Sequence, residues 1–345
     1  MITPSIAGMG WVTPLGRDLS TVWKAIGKNE RPDPVLLKSP INGLSVPVLR
    51  VPESLVRDTA SLPRLRRSST ISHLAVAAAA DAAASARMTP EALKRTALVF
   101  AASDGGVVYT RRFYAEIVER GEGAGSPLLF PETVYNAPAS HIAARLGLER
   151  EVLTLVGDPA AGLSAVQTGC ELLAVGEADF CVIAAAQELD WITCEAYGRW
   201  GLIHDNLNSA CVFSEGAAAI VLTRESDGCR VSAIHPGYSY VTKEDAEERL
   251  DTMIKELLNR SGVEVAVSCA SGTRLDLAEK NCFARHLSTA KVLAPKFVLG
   301  ESLACSTLQQ VISGVLALDE LRGGNALVTT TGYSRQLAGL VLTRD

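Results

Sequence analysis

The sequence lacks any long apolar run: none approaches the roughly 18 consecutive apolar residues that suggest a membrane span. Its N-terminus also lacks a charged stretch followed by an apolar one, the pattern of a secretory leader. These two absences predict a cytoplasmic protein with no membrane span.

Residue patterns that hold metals are missing as well. The eight cysteines contain no Cys-x-x-Cys pair and lie mostly in apolar neighbourhoods, which favours reduced core thiols over disulfides or a zinc site. The five histidines show neither a His-x-x-x-His nor a His-Glu-x-x-His pattern. We therefore expect no metal site and no cofactor.

Neither sign of charge is in large excess, since 33 lysines and arginines stand against 38 aspartates and glutamates. This balance gives no support for nucleic-acid binding. One basic cluster, formed by Arg64, Arg66 and Arg67, fits either a solvated loop or a contact for an acidic protein or partner subunit.

What the chain does have is apolar material, 48% of its 345 residues, enough for one large core. Short apolar strand candidates alternate with helical segments, a pattern typical of a layered α/β fold. A helix is predicted over 242–259, and the polar turn 224–227 is the best internal boundary. The predicted strands are 96–101, 152–155, 180–185, 217–223, 263–269, 291–299, 325–331 and 338–343.

A helix start follows the second of these strands, at Asp158 and Pro159. A carboxylate can accept unpaired helix-terminal N–H groups, whereas proline has no N–H to leave unpaired and already holds a helical φ. We therefore predict Asp158 as the N-cap and Pro159 as the first helical residue. Neither residue can be acylated usefully.

Several ordered stretches resemble the β-ketoacyl synthases of the thiolase superfamily. Each is weak alone, but their shared order over the chain makes chance similarity improbable. The resemblance implies a thiolase-like five-layered αβαβα fold made of two pseudo-repeated halves, residues 1–227 and 228–345. The stretches are Gly8-Met9-Gly10-Trp11-Val12-Thr13-Pro14-Leu15-Gly16, Phe130-Pro131 through Asn136, Gly176-Glu177-Ala178-Asp179, Phe213-Ser214-Glu215-Gly216-Ala217, Gly272-Thr273, Lys296 through Gly300, and Gly332-Tyr333.

Active members of that family use a cysteine at the start of this helix and two histidines. The helix dipole lowers the pKa of the thiol that attacks an acyl thioester, and the histidines help decarboxylate the malonyl group and stabilise the enolate. The corresponding positions here are Pro159, Ser271 and Glu301, so no catalytic residue is expected. Proline offers no nucleophile, serine does not replace an imidazole, and a carboxylate repels an enolate.

The resemblance also indicates which residues surround the former active site. Lys296, Gly332, Tyr333 and Arg335 are the candidate binding residues. Arg335 stands where the family has the second glycine of a Gly-Phe-Gly-Gly motif, and we expect it to fill or close that space.

The resemblance thus implies a non-catalytic subunit, similar to the chain-length factors of type II polyketide and aryl polyene systems. Such a subunit pairs with an active β-ketoacyl synthase through the strand 151–156, as a heterodimer or alternatively a homodimer. An acyl carrier protein is a partner through the complex.

Two alternatives stay open. The chain could be a β-ketoacyl-ACP synthase or acyltransferase with a displaced nucleophile, although Cys170 suits a packed core thiol and no histidine lies near Ser164 in sequence. It could instead be a homodimeric protein that binds acyl chains or carrier proteins. Any activity of its own would be that of a 3-oxoacyl-[acyl-carrier-protein] synthase.

Overall fold

The computed structural model describes residues 3–200, 212–225, 227–258, 262–273 and 275–345. His204, Cys211 and Asn259, which the sequence analysis counts or places in a helix, lie outside these ranges. None of the described helices is both long enough and apolar enough to cross a membrane.

The strands are β1 (Ser5–Val12), β2 (Val35–Lys38), β3 (Ser45–Leu49), β4 (Thr96–Ala102), β5 (Val152–Val156), β6 (Phe180–Gln187), β7 (Phe213–Ser214), β8 (Gly216–Thr223), β9 (Cys229–Ser239), β10 (Val265–Val267), β11 (Lys291–Leu293), β12 (Gly324–Thr331) and β13 (Gln336–Arg344). The helices are α1 (Leu19–Lys28), α2 (Arg57–Ser61), α3 (Thr70–Ser85), α4 (Pro90–Lys94), α5 (Val107–Arg120), α6 (Ala137–Leu146), α7 (Ala160–Val175), α8 (Trp191–Arg199), α9 (Lys243–Leu258), α10 (Asp276–His286), α11 (Lys296–Leu299) and α12 (Ala304–Leu321).

Ten of these strands form one sheet with an internal repeat. From the middle outward, one side runs β1-β8-β6-β4-β5 and the other runs β9-β13-β12-β10-β11. If the five strands on each side are numbered in chain order, their order from the middle outward is first, fifth, fourth, second and third on both sides. The parallel and antiparallel pairings also agree between the sets. The two halves therefore share one topology and join where β1 pairs with β9.

The helices complete five layers. On one outer face α3 packs on β1, β6 and β8, and α6 lies beside it. On the other outer face α9 packs on β9 and β13, with α10 against α9. Between the two sets of strands lie α7 and α12, which contact both sets and each other. This is the thiolase-like αβαβα arrangement expected from the sequence, and we keep residues 227 and 228 as the predicted division between the halves.

The two central helices approach closely at Gly162. A Cβ built on Gly162 would lie 2.7 Å from the carbonyl oxygen of Ala304 and 2.7 Å from Cβ of Thr307. Any larger residue would push α12 away from α7. This crossing lies in the first turn of α7, close to Pro159.

One predicted strand is wrong over part of its length. The segment 291–299 forms a strand only to Leu293 and then becomes the short helix α11. Pro295 flanks that helix and has no N–H to give to a strand ladder, so the strand ends before it. Strand β9 was not predicted from the sequence, because Pro236 and Gly237 interrupt its apolar pattern.

A small second sheet, β2-β3-β7, packs beside the end of the large one. Phe213 of β7 forms an isolated bridge with Glu301, and the Ser214 N–H donates to the Glu301 carbonyl oxygen at 2.9 Å. This sheet therefore fixes the backbone of Glu301, one of the three positions that the resemblance predicts as degenerate.

Candidate functional site

The start of α7 follows the end of β5, where the resemblance predicts the family's nucleophile position. The helix begins at Ala160, and Pro159 is the flanking residue, one position later than predicted. Asp158 still accepts a helix-terminal N–H, that of Ala160, at 3.0 Å. The Pro159 carbonyl oxygen accepts the hydroxyl of Thr307 on α12 at 2.7 Å. The nucleophile position has become a contact between the two central helices.

The carboxylate of Asp158 also binds the turn between β12 and β13. Its Oδ2 accepts the Ser334 N–H at 2.9 Å and the Ser334 hydroxyl. Gly332 lies against the same carboxylate, because a Cβ built there would be 1.8 Å from Oδ2. A side chain at this position would collide with Asp158. Gly332, a predicted binding residue, thus makes room for a carboxylate of the same chain.

The remaining donors in the first turn of α7 are also occupied. The N–H of Ala161 donates to the Asp158 carbonyl oxygen at 2.9 Å, and that of Gly162 to the Pro159 carbonyl oxygen at 3.2 Å. Open helix-terminal N–H groups can stabilise the negative oxygen that develops in acyl transfer. Because Pro159 has no N–H and Asp158 takes the next one, this helix start has lost that capacity.

Glu301, at the second histidine position, is part of a buried ion pair. Its Oε2 accepts a hydrogen bond from Lys296 Nζ at 2.7 Å, and its Oε1 accepts the Leu303 N–H at 2.8 Å. The two side chains are only 3% and 1% exposed. Lys296 therefore compensates the charge of Glu301, so this carboxylate serves a structural contact.

Ser271, at the first histidine position, is buried in the loop after β10. The carboxylate of Asp276 accepts the N–H groups of Ser271 and of the next two residues at 3.4, 2.7 and 3.2 Å. The same loop reaches the β12–β13 turn, where Cys269 Sγ lies 3.3 Å from Thr331 Oγ1. A serine hydroxyl does not exchange protons near neutral pH as an imidazole does.

Three aromatic side chains pack the space beside Glu301. Ring centroids are 5.0 Å apart for Tyr197 and Phe213, 5.7 Å for Tyr197 and Tyr333, and 6.5 Å for Phe213 and Tyr333. The Tyr333 hydroxyl lies 3.5 Å from Glu301 Oε2. Tyr333 is one of the predicted binding residues, whereas Tyr197 could not be predicted, because α8 joins the site only through the tertiary fold.

Carboxylates surround the hydroxyl of Tyr197. Burial raises its pKa, and the charges of Asp104, Glu301 and Asp158 raise it further. Asp104 accepts a hydrogen bond from the Gln187 side-chain amide at 2.9 Å. Burial also raises the pKa of Asp104, while its hydrogen bonds to Gln187 and Tyr197 lower it. An environment with three acidic groups disfavours an anionic intermediate.

Arg335 does not fill the site, which corrects the sequence-based expectation. Its side chain is exposed, and its backbone has φ of 64° in the tight turn between β12 and β13. The Arg335 N–H donates to the Gly332 carbonyl oxygen at 3.2 Å, which closes the turn. Asp158 instead contacts this turn through Ser334, and the Tyr333 hydroxyl lies near Glu301.

The two alternative nucleophiles considered from the sequence, Cys170 and Ser164, both lie on α7. Burial raises the pKa of Cys170 to about 12. Ser164 is exposed, and its hydroxyl lies 3.4 Å from the Ala160 carbonyl oxygen. The described histidines bind other groups, namely the Leu65 carbonyl oxygen, Glu132, Glu256 and Asp251.

The outer strand of the first half, β5, presents an open edge. One of its edges pairs with β4, and it is the last strand on that side of the sheet. Three of its apolar side chains are exposed, Val152 by 41%, Leu153 by 37% and Val156 by 54%. An open, apolar edge strand is a template for pairing with another chain.

Known proteins resemble this chain in sequence over one half and in fold throughout. Residues 58–228 match the model of the family described as "Beta-ketoacyl synthase, N-terminal domain". No curated protein sequence matches the chain. The fold is similar to that of the ishigamide ketosynthase/chain length factor, with a TM-score of 0.84, 20% identity and 99% of both chains covered.

Two further structures support the same assignment. A β-ketoacyl synthase from Burkholderia phymatum STM815 has a TM-score of 0.83, 16% identity and 100% of both chains covered. The complex of the ketosynthase ApeO with its chain length factor ApeC from Xenorhabdus doucetiae has a TM-score of 0.81 and 15% identity, over 99% of this chain and 98% of that one. Residues 58–228 thus match the β-ketoacyl synthase family in sequence, and the whole chain has the fold of these ketosynthase structures.

Proposed function

We propose that this chain is a non-catalytic, chain-length-factor-type subunit. It pairs with an active β-ketoacyl synthase that elongates a fatty-acid-like or polyketide chain, such as an aryl polyene. The observation that carries the proposal is the start of α7, where Pro159 replaces the nucleophile and Asp158 binds the helix-terminal donor. A synthase needs both a thiolate and an oxyanion site at this place.

The rest of the former site supports the same function. Glu301 is held by Lys296, and Tyr197, Phe213 and Tyr333 pack against one another beside it. Space for an acyl chain therefore has to come from the active partner, whose tunnel this subunit closes or extends. A chain length factor solved with its ketosynthase is among the structures with this fold.

The partner surface that we propose is the edge of β5 with the helices that follow it. Pairing β5 with the equivalent strand of a synthase would continue the sheet across both subunits and cover its exposed apolar side chains. Interfaces of permanent complexes are large and apolar. A heterodimer is the form we propose, and a homodimer is the alternative.

An acyl carrier protein is the second proposed partner. Arg64, Arg66 and Arg67 are exposed, and Arg64 lines a cavity of about 460 Å³ together with Arg145 and His141. Carrier proteins are acidic, so this basic surface would attract one. We also propose that the complex works in the cytoplasm, where its buried thiols stay reduced.

The experiment is co-expression with an active synthase that has an intact Cys-His-His set, followed by size-exclusion chromatography with mass determination and product analysis. We expect a one-to-one complex that turns over, and no turnover by this chain alone. Ser271→Ala is the matched control, because it should leave the rate of the assembled pair nearly unchanged.

Other results would favour the alternatives. A homodimer that binds acyl chains tightly but does not bind the synthase would favour the alternative of a homodimeric acyl-chain or carrier-protein binder. A stoichiometric acyl adduct on this chain, mapped to Cys170 or Ser164, would favour a displaced nucleophile.

A further inference from the structure

We propose that Asp158 is a second reason why this site is inactive. Its fixed carboxylate opposes any negative charge at the nucleophile position. The inference extends the proposed non-catalytic function. Pro159 removes the reactive atom, whereas Asp158 removes the electrostatic environment that a reactive thiolate requires. Replacing Pro159 by cysteine would therefore restore a thiol but not a nucleophile.

The geometry holds the carboxylate in one place. Oδ1 accepts the Ala160 N–H from one side, and Oδ2 accepts both the N–H and the hydroxyl of Ser334 from the other. The close fit against Gly332 leaves no room for a side chain at that position. Asp158 thus joins the two halves of the fold and cannot turn away from residue 159 without losing these contacts.

The charged groups around the site do not cancel this effect. Asp104 and Glu301 act on Tyr197 together with Asp158, and Lys296 is already paired with Glu301. Burial raises the pKa of the Tyr240 hydroxyl to about 12. The charge of Asp158 also raises this pKa, whereas the charge of Arg335 lowers it. Arg335 is exposed, so solvent screens its charge more than that of the half-buried Asp158.

Two opposing effects would then act on a cysteine at position 159. A helix N-terminus lowers the pKa of a thiol, often far below the ordinary value of about 8.5. A carboxylate a few Å away raises it, and this carboxylate also occupies the donors that carry the helix effect. The thiol of Pro159→Cys should therefore titrate at or above its ordinary pKa.

The test compares Pro159→Cys with the double variant Pro159→Cys/Asp158→Asn in the full-length protein. Thiolate formation is followed by ultraviolet absorbance against pH, with the parent protein in the same assembly state subtracted. The background is low, since burial raises the pKa of the native thiols Cys170 and Cys194 to about 12. We expect the thiol pKa to fall by at least about one unit when Asp158 becomes asparagine.

A matched control and a second variant keep the result interpretable. Pro159→Cys/Ser334→Ala removes the hydroxyl hydrogen bond to the same carboxylate but no charge, so its thiol should not titrate lower. Pro159→Cys/Asp158→Ala replaces the asparagine variant if that one does not fold, as judged by circular dichroism. Equal thiol pKa values with and without Asp158 would overturn the inference. The titration needs no synthase, so its failure is distinct from a failure to form the proposed complex.

Discussion

Lys296 Nζ lies 2.7 Å from Glu301 Oε2, and both side chains are almost fully buried. Removing one partner of a buried ion pair leaves the other charge without compensation, at a cost of about 3–5 kcal/mol. Lys296→Met should therefore lower the free energy of unfolding by that amount in urea denaturation. Lys296→Met/Glu301→Gln should recover much of the loss, and Arg249→Ala in an exposed pair should change far less. A stable Lys296→Met protein would contradict the structural role of the pair.

Pro159→Cys alone should not restore condensation. Ser271 and Glu301 still stand in place of the two histidines, and each missing stabilising donor costs about 10²–10³ in rate. The measurement is ketoacyl product from carrier-bound substrates, with an active synthase as the positive control. The unaltered chain should also gain no mass from acyl carrier thioesters or a cysteine-directed inhibitor. Measurable product from the single variant would show that the assignment of Pro159, Ser271 and Glu301 is wrong.

Leu153→Asp should prevent pairing with the synthase. Leu153 is the second residue of the open edge strand β5, and an unpaired carboxylate buried in an interface costs several kcal/mol. Co-purification followed by size-exclusion chromatography measures the loss. Val241→Asp is the control, since Val241 is an exposed apolar residue in the other half of the fold. Assembly that survives Leu153→Asp would place the partner surface elsewhere.

Gly332→Ala should destabilise the protein because the new methyl group would overlap the Asp158 carboxylate. Asp158→Ala removes that obstacle, so the double variant should be less damaged than the sum of the two single variants predicts. A double-mutant cycle on thermal unfolding gives this coupling. Additive effects would mean that the turn and Asp158 are independent. Gly123→Ala is the control, because a Cβ there meets no neighbouring atom.

Because of Glu188, the free energy of unfolding should fall as the pH rises. Its carboxylate accepts the N–H groups of Ile71 at the start of α3 and Val108 at the start of α5, at 3.0 and 2.9 Å. Burial raises its pKa from 4.5 to about 7, so between these values the folded state binds more protons than the unfolded state. The free energy of unfolding therefore falls as the pH rises from 4.5 to about 7, and the total loss above this range is up to about 3 kcal/mol.

Glu188→Gln cannot ionise, so it should lose this part of the pH dependence. The comparison is the slope of unfolding free energy against pH from 5 to 8, because the lost hydrogen bond shifts the variant equally at every pH. Parallel curves for both proteins would show that Glu188 is ionised throughout.

Much of the fold could be predicted from local patterns. The strands at β4, β5, β6, β8, β12 and β13 are apolar runs bounded by polar turns, and α9 shows apolar positions at helical spacing. The segment 291–299 could not be divided correctly, because an apolar run of that length fits a strand or a short helix equally well. The repeat between the halves was likewise not visible in the residues, since it is a property of strand order and not of side chains.

By itself, the sequence determined what is missing from this protein. The resemblance predicts Pro159, Ser271 and Glu301 at the family's catalytic positions, where a proline has no nucleophile and neither other side chain is an imidazole. Only the tertiary structure decided which contacts the residues of this site make. Asp158 meets Ser334 across 176 residues, and Tyr197 packs on Tyr333, only because the fold brings the ends of distant strands together. Hydrogen bonds and burial depend on distance in space, which spacing along the chain does not give.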